Sequence, residues 1–186
     1  MADVVQRYDM TYGARQNDCG TDMHVLIKGK TDPDIKKGGQ PSVTPNWFGQ
    51  LQAAAPQYVS KYVRQGHLLN DNIGGPGNTM DNLTPITAST NTTHLTKMER
   101  KVKSFVLDDD LWVEYRVRPD YSTHPNLADL GHAAPAAIGP FLQYMAGTIG
   151  VDYIAYDNTP PHNIVDQSPG ELLIKNEGAH LKGNFV

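Results

Sequence analysis

Residues 62–106 read YVRQGHLLNDNIGGPGNTMDNLTPITASTNTTHLTKMERKVKSFV, and this stretch decides the fold. A β-type run, Tyr58, Val59, Tyr62 and Val63, leads into Gly66-His67 as part of a first strand over Gln57–Leu69. A turn-rich loop over Asp71–Met80 follows, carrying Gly74-Gly75-Pro76-Gly77, and then a short extended piece over Asn82–Thr87. Glycine permits the positive φ that a chain doubling back over a cleft requires. Ser89 or Thr90 is suited to cap a helix running to about Phe105, because Leu95, Met98, Val102 and Phe105 recur at helical spacing as one apolar stripe. The order is strand, imidazole, tight loop, second strand, and a helix bearing Asn91, His94 and Glu99. Such an order can set His67 opposite Asn91 across a small cleft, with a divalent cation between them.

Phosphodiester hydrolysis needs an activated water and charge neutralisation at the phosphate. A neutral imidazole can take the proton from water near neutral pH. His67 is the candidate base, provided that its other ring nitrogen is held by a carbonyl. Magnesium prefers oxygen ligands and keeps several waters, so one Asn side chain can be its only direct protein ligand. Asn91 and Glu99 lie about two helical turns apart and point to similar sides.

In this order Gly66-His67, the Gly-Gly-Pro-Gly turn, Asn82-Leu83-Thr84-Pro85, and Asn91 with Glu99 eight residues later resemble the ββα-metal (His-Me) finger of the DNA/RNA non-specific endonuclease family, toxin-domain versions above all. The resemblance spans about 45 of the 186 residues. It implies an α+β domain, a small antiparallel sheet with a ββα-metal finger and packed helices. It implies a metal-dependent endonuclease acting on DNA, with RNA as a second substrate, and Mg²⁺ or Mn²⁺ as cofactor. His67 would be the base, Asn91 the metal ligand, and Glu99 a partner acting through metal-bound water. Asn82 and Gly66 would support the loop and the His67 turn. Arg64, with Lys97, Arg100 and Lys101 on the helix, would hold phosphate. Proteins of this pattern are often toxins or effectors of bacterial competition, with an immunity protein and delivery machinery as partners. The chain departs from the family at one point: Asp-Arg-Gly-His is replaced by Arg64-Gln65-Gly66-His67. A one-residue shift along a strand reverses the face, so Arg116 or Arg118 becomes a candidate substitute cation.

Composition fits a single domain with an N-terminal arm over 1–22 and a nuclease-like domain over 23–186, its finger core at about 58–106. The net charge of −4 and pI near 5.9 argue against a general nucleic-acid coat, while Lys97, Arg100, Lys101 and Lys103 offer a local basic face. Cys19 is the only cysteine, which excludes an internal disulfide and a zinc-thiolate cluster. No run of 18 apolar residues suggests a membrane span. The N-terminus has no basic and apolar regions of a secretory signal. The chain is therefore expected to be made in the cytoplasm without a cleaved signal peptide, then exported or injected if it acts elsewhere, and to have no membrane partner.

Elsewhere, Met23–Lys28, Leu111–Arg118, Val151–Tyr156 and Glu171–Lys175 read as strands. The strand over Leu111–Arg118 follows the helix and is expected to pair in the finger's own sheet. Asn46 can cap a helix over Trp47–Ala55 that Pro56 ends. Thr31–Pro45, Thr123–Ala134 and Asn158–Gly170 read as loops, Ala133–Thr148 as a broken helix, and Asp108-Asp109-Asp110 as a solvated turn. His24, His124, His132, His162 and His180 show no metal-binding spacing. Two alternatives share these residues: a non-catalytic binding or structural protein with a degenerate finger, as a component or cargo of a larger assembly, and a hydrolase of a small phosphoester.

Overall fold

The computed structural model describes residues 10–31, 37–131 and 134–178. Residues 1–9 of the expected arm, His132 and His180 lie outside them. The elements are β1 (Thr11–Tyr12), β2 (Met23–Ile27), α1 (Phe48–Ala54), α2 (Pro56–Tyr62), β3 (Val63–His67), β4 (Leu83–Thr87), α3 (Ala88–His94), α4 (Arg100–Leu107), β5 (Trp112–Asp120), β6 (Thr148–Tyr156), β7 (Ile164–Gln167) and β8 (Leu172–Lys175). The class is α+β, as the finger motif leads one to expect. No helix among the described residues is long and apolar enough to cross a membrane.

The larger sheet is antiparallel and runs β1-β2-β5-β6-β7, with β8 pairing the first half of β6. Its strands alternate as a sheet with one covered face must. Met23, Val25 and Ile27 of β2, Val113, Tyr115 and Val117 of β5, and Val151, Tyr153 and Ala155 of β6 are buried. They pack with Met98, Val102 and Val106 of the finger's helical run. The intervening positions carry ion pairs: Asp22 with Arg116, Asp152 and Glu171 with Arg118, and Glu114 with His24. Partly exposed pairs of this kind stabilise by at most about 1 kcal/mol each, so the apolar face carries the sheet.

β3 and β4 form a separate two-stranded sheet that pairs Gly66 with Thr84 and His67 with Leu83. All five residues of β4 are buried. Ile86 joins the core under the large sheet, while Val63 and Leu83 join a second core built with Trp47, Phe48, Leu51, Tyr58 and Tyr121. The finger is thus wedged between two apolar clusters. Cys19 is buried in the second, and burial pushes its thiol up to about 12, so it stays protonated and inert.

Several expectations need correction. The first strand does not begin at Gln57: Pro56–Tyr62 is helical and only Val63–His67 is strand. Pro56 does not merely end α1; it occupies the first turn of α2, where a missing N–H costs nothing. Tyr58, Val59 and Tyr62 therefore read as one helix face. The strand after the finger, β5, pairs with β2 and β6 and not with the finger's hairpin. The stretch expected as a loop over 158–170 contains β7. The Ala136–Tyr144 segment is 3₁₀, consistent with Pro140 removing a donor. Asp110 is more than a solvated residue: its carboxylate accepts from the Thr31 amide at 2.9 Å and Asn158 Nδ2 at 2.8 Å.

The loop between β3 and β4 is held by close backbone contacts. The Gly38 amide donates to the Asp71 carbonyl at 2.6 Å, and Ser42 N to the Gly77 carbonyl at 2.7 Å. A Cβ on Gly75 would fall 1.6 Å from the Leu69 carbonyl oxygen, so only glycine fits. Gly75→Ala is therefore expected to lower unfolding free energy by roughly 3 kcal/mol, the range of steric core defects. Gly49→Ala, where nothing lies within 4 Å of the added carbon, should be neutral or slightly stabilising. Urea denaturation of the two variants beside wild type checks the contrast; equal midpoints would refute it.

Candidate active site

A cleft of about 550 Å³ opens where β3, the β3–β4 loop and the finger helix meet. Its lining includes Arg64, Gln65, His67, Asn70, Asp71, Asn91 and Glu99. Gln40 and Pro41, from the segment after residue 37, form part of its rim.

His67 ends β3 and is held as a general base requires. Its Nε2 lies 2.9 Å from the Gly39 carbonyl oxygen. A carbonyl only accepts, so Nε2 carries the proton and Nδ1 keeps its lone pair. Gly39 belongs to a stretch that the sequence shows only as loop; its Gly-Gly pair signalled a turn but not its destination. Gly66 allows the hairpin to close, since a Cβ there would sit 2.5 Å from Ile86 Cδ1.

Asn82 is wholly buried and braces the loop. Its Oδ1 accepts from the Leu69 amide at 2.8 Å, and its Nδ2 donates to the carbonyls of Leu69 and Pro76 at 3.0 and 3.1 Å. Both chain ends of the glycine turn are thereby tied to the start of β4.

The finger helix starts at Thr87, whose hydroxyl accepts from the Thr90 amide at 3.0 Å, two or three residues before the expected cap. Between α3 and α4 lies a π-helical turn, Leu95–Glu99. Such turns recur at functional sites. This one buries Met98 and Glu99 together. Asn91, one turn before it, faces the cleft, and its carboxamide makes no side-chain hydrogen bond to another described residue.

Glu99 is 5% exposed and accepts from Asn70 Nδ2 at 3.2 Å. Burial raises its carboxyl to about 7. His94, 3.8 Å from it through Nδ1, is lowered to about 4, also by burial. Distance alone would make this an ion pair, but desolvation disfavours both charges, and the two groups are neutral together around pH 5.5. His94 Nε2 lies 2.8 Å from the Tyr115 hydroxyl on β5. Burial keeps Tyr115 protonated. Donation from it to Nε2 puts the imidazole proton on Nδ1, facing Glu99.

The expected phosphate-binding cations are placed unevenly. Arg64 lines the cleft despite facing the other side of the strand, because its side chain folds back: Nη1 donates to the Ser60 and Val63 carbonyls at 2.9 and 2.8 Å. Lys97, Arg100 and Lys101 are not among the lining residues. Lys101 instead pairs with Asp166 at 2.8 Å and lies over the rings of Phe105 and Tyr153. Arg116 and Arg118 are engaged on the large sheet by Asp22, Asp152 and Glu171, so neither replaces the missing arginine. Sequence reasoning missed Gln40, Asn70 and Asp71; Asn70-Asp71 follow His67 closely but carry no spacing signal of their own.

Among the described residues, no three His, Cys, Asp or Glu side chains converge on a metal position. The oxygen donors in the cleft include the amide oxygen of Asn91 and the carboxyl groups of Glu99 and Asp71. That set suits a hard cation that keeps most of its waters, as magnesium does, and does not suit zinc.

A strand–loop–strand–helix unit with an anchored histidine and an asparagine on the helix defines a ββα-metal finger. Residues 46–130 match the family model described as DNA/RNA non-specific endonuclease. The resemblance read from the sequence is thus borne out, and the finger segment is that of this endonuclease family. The whole chain is similar in fold to an extracellular endonuclease at 16% identity and TM-score 0.53, with 95% of this chain and 82% of that chain covered. It is also similar to NucA from Streptococcus agalactiae with magnesium ion bound, at 14% identity and TM-score 0.54, with 96% and 75% covered. A search of curated proteins finds no significant match.

The neutral Glu99–His94 pair has a pH signature. A carboxyl raised from 4.5 to about 7 makes the fold lose stability as pH rises through that window. An imidazole lowered from 6.5 to about 4 makes it gain stability as pH rises from 4 to 6.5. The two slopes oppose and largely cancel in the wild type. Glu99→Gln leaves the histidine slope alone, so the metal-free variant should gain roughly 3 kcal/mol relative to wild type between pH 4 and 6.5. Urea titrations in EDTA across that range measure it, and parallel profiles would contradict the neutral pair.

Proposed function

We propose that this protein is a metal-dependent, sequence-non-specific endonuclease that hydrolyses DNA, and RNA as well, with Mg²⁺ or Mn²⁺ as its cofactor. One observation carries the reading: Nε2 of His67 is committed to the Gly39 carbonyl, which leaves Nδ1 with its lone pair in the cleft that Asn91 also lines, its carboxamide unpaired among the described residues. The endonuclease family match supports the substrate class.

His67 Nδ1 takes a proton from a water molecule, whose oxygen attacks phosphorus as the O–P bond to the leaving sugar oxygen breaks. Asn91 would hold the cation directly, and Glu99 would orient its hydration shell. The bound metal supplies neutralisation of the charge that builds on the phosphate. Arg64 lies at the cleft edge, where it can meet the flanking backbone. Gly66 and Asn82 hold the histidine and loop in register. Lys97, Arg100 and Lys101 serve, in this reading, only the longer path of a bound strand outside the cleft. The arm over 1–22 and the domain over 23–186 remain the proposed division.

A toxin or effector role, with an immunity protein and delivery machinery as partners, rests on the motif's resemblance to toxin domains. Two structural neighbours are described as extracellular, and export of this chain would fit with them. The non-catalytic scaffold is favoured by one feature, the absence from the cleft of the helix lysines.

Nicking of supercoiled plasmid separates the two readings. Wild type with Mg²⁺ should convert it to open circle, EDTA should abolish conversion, and His67→Ala should slow it by about 10²-fold or more, the usual contribution of a general base. His67→Ala should melt close to wild type, since its ring is partly exposed. A folded wild-type protein that cuts neither plasmid nor RNA in Mg²⁺, Mn²⁺ or Ca²⁺ would leave the scaffold as the working reading.

A further inference from the structure

The acceptor that fixes the His67 ring sits on a stretch with little support of its own. Gly39 is exposed and lies in a segment, 37–45, that forms neither helix nor strand. Its own amide approaches the Gly75 carbonyl only at 3.3 Å. A carbonyl lies in the rigid peptide plane that joins its residue to the next. The Gly39 carbonyl is therefore aimed from two ends, Gly39 and Gln40. Two consecutive glycines lack the Cβ that would restrict the first end. The direction of the carbonyl then depends on what holds Gln40.

Asp71 holds the chain on both sides of Gly39. Its main-chain carbonyl accepts from the Gly38 amide at 2.6 Å, and its carboxylate Oδ2 accepts from Gln40 Nε2 at 2.5 Å. Gln40 is exposed, whereas Asp71 is 8% exposed at the cleft wall. The side-chain partner of that carboxylate among the described residues is this neutral amide. Burying a carboxylate is costly unless a cation or several donors meet it. A bond to one exposed glutamine is weak compensation as a stabilising device, but it is a direct way to aim a peptide plane. The preceding residue acts on the opposite wall of the cleft. Asn70 Oδ1 accepts from the Asn72 amide at 3.0 Å, which turns Nδ2 toward Glu99 Oε2 at 3.2 Å. Two consecutive residues thus reach the support of the histidine and the carboxyl facing it.

We propose that Asp71 is a positioning residue: its carboxylate latches Gln40, and the latch fixes the peptide plane whose carbonyl holds His67 Nε2. The proposal rests on the nuclease reading for the reaction that the ring serves, and not for the latch itself. It gives Asp71 a task separate from any contact with a cation.

Three substitutions test it. Gln40→Met keeps the length and removes the donor, Asp71→Leu removes the acceptor, and Asp71→Asn keeps an acceptor oxygen. Nuclear magnetic resonance of protein carrying isotope-labelled histidine, assigned with His67→Ala, reads the Nε2–H of His67 without metal or substrate. Plasmid nicking in Mg²⁺ reads turnover, and thermal unfolding shows that each variant is folded. Wild type should show an Nε2–H signal protected from exchange with water. Gln40→Met and Asp71→Leu should lose it and turn over roughly tenfold more slowly, the effect of a small misplacement. The plasmid and Mg²⁺ concentrations at half-maximal rate should not move. Asp71→Asn should keep the signal and most of the rate. Gln40→Met and Asp71→Leu in one chain should be no slower than the slower single variant, because both break the same latch. A pair that only stabilises the loop would lower the melting temperature and leave the signal and turnover in place, which overturns the proposal. Slow nicking by Asp71→Leu beside a wild-type-like Gln40→Met also overturns it and assigns Asp71 to the cation. Absence of a protected signal in wild type overturns the anchoring itself. A signal present in wild type and lost in Gln40→Met, in a series that never nicks, keeps the latch and sinks the nuclease reading.

Discussion

The bond between His67 Nε2 and the Gly39 carbonyl sets what the rest of the site can do. A histidine with both nitrogens free has no fixed tautomer and no fixed ring plane. Tying one nitrogen to an acceptor decides the tautomer and leaves the other lone pair free, and does so without adding a charge to the cleft. The acceptor is a backbone carbonyl from a distant segment, so its placement depends on everything that holds that segment. Gly38 and Ser42 bond to Asp71 and Gly77, and Gly39 N approaches the Gly75 carbonyl at 3.3 Å. The loop beneath is locked in turn by Asn82. The placement of the His67 ring is thus transmitted through backbone contacts that leave no room for a Cβ at Gly38, Gly75 or Gly77.

A second line of constraint runs from the large sheet into the finger helix. Tyr115 on β5 reaches His94, and His94 faces Glu99 across 3.8 Å. Burying a carboxyl and an imidazole as neutral groups avoids the cost of two desolvated charges. The π-turn makes this register achievable, because its extra residue turns Glu99 inward without losing Met98 and Val102 from the apolar stripe. Sheet and helix are therefore coupled by the Tyr115–His94 hydrogen bond and by one apolar seam, and the cleft by the close approach of His94 to Glu99.

Much of this was legible in the sequence, and the parts that were not share a cause. The period-two pattern of β2, β5 and β6 and the helical stripe of Met98 and Val102 report burial, which acts residue by residue and leaves a periodic trace. His67, Asn91 and Glu99 carried a recognisable order. By contrast, Gly39, Asn70, Asp71 and Gln40 reach the cleft through tertiary placement, and no local period records that. Pro56 misled because it ends one helix and begins another, and the aromatic run after it suits a helix face as well as a strand. The sheet that β5 joins could not be inferred from its position after the helix, since pairing depends on β2, which lies far earlier in the chain.

The electrostatics of the site follow from where the cations are not. An acidic chain that cuts a polyanion would be expected to gather positive side chains in the cleft. Here Arg116, Arg118 and Lys101 are consumed by carboxylates elsewhere, and the strand position adjoining Gly66-His67 holds a neutral amide. Under the proposed nuclease reading, phosphate would be met by Arg64, by short-range donors and by a bound cation and not by clustered lysines. Short-range hydrogen bonds are insensitive to ionic strength, whereas clustered lysines lose affinity steeply as salt rises. A cleft of this kind would exchange fast capture for tolerance of salt, since what it gives up in steering it does not lose again at high ionic strength.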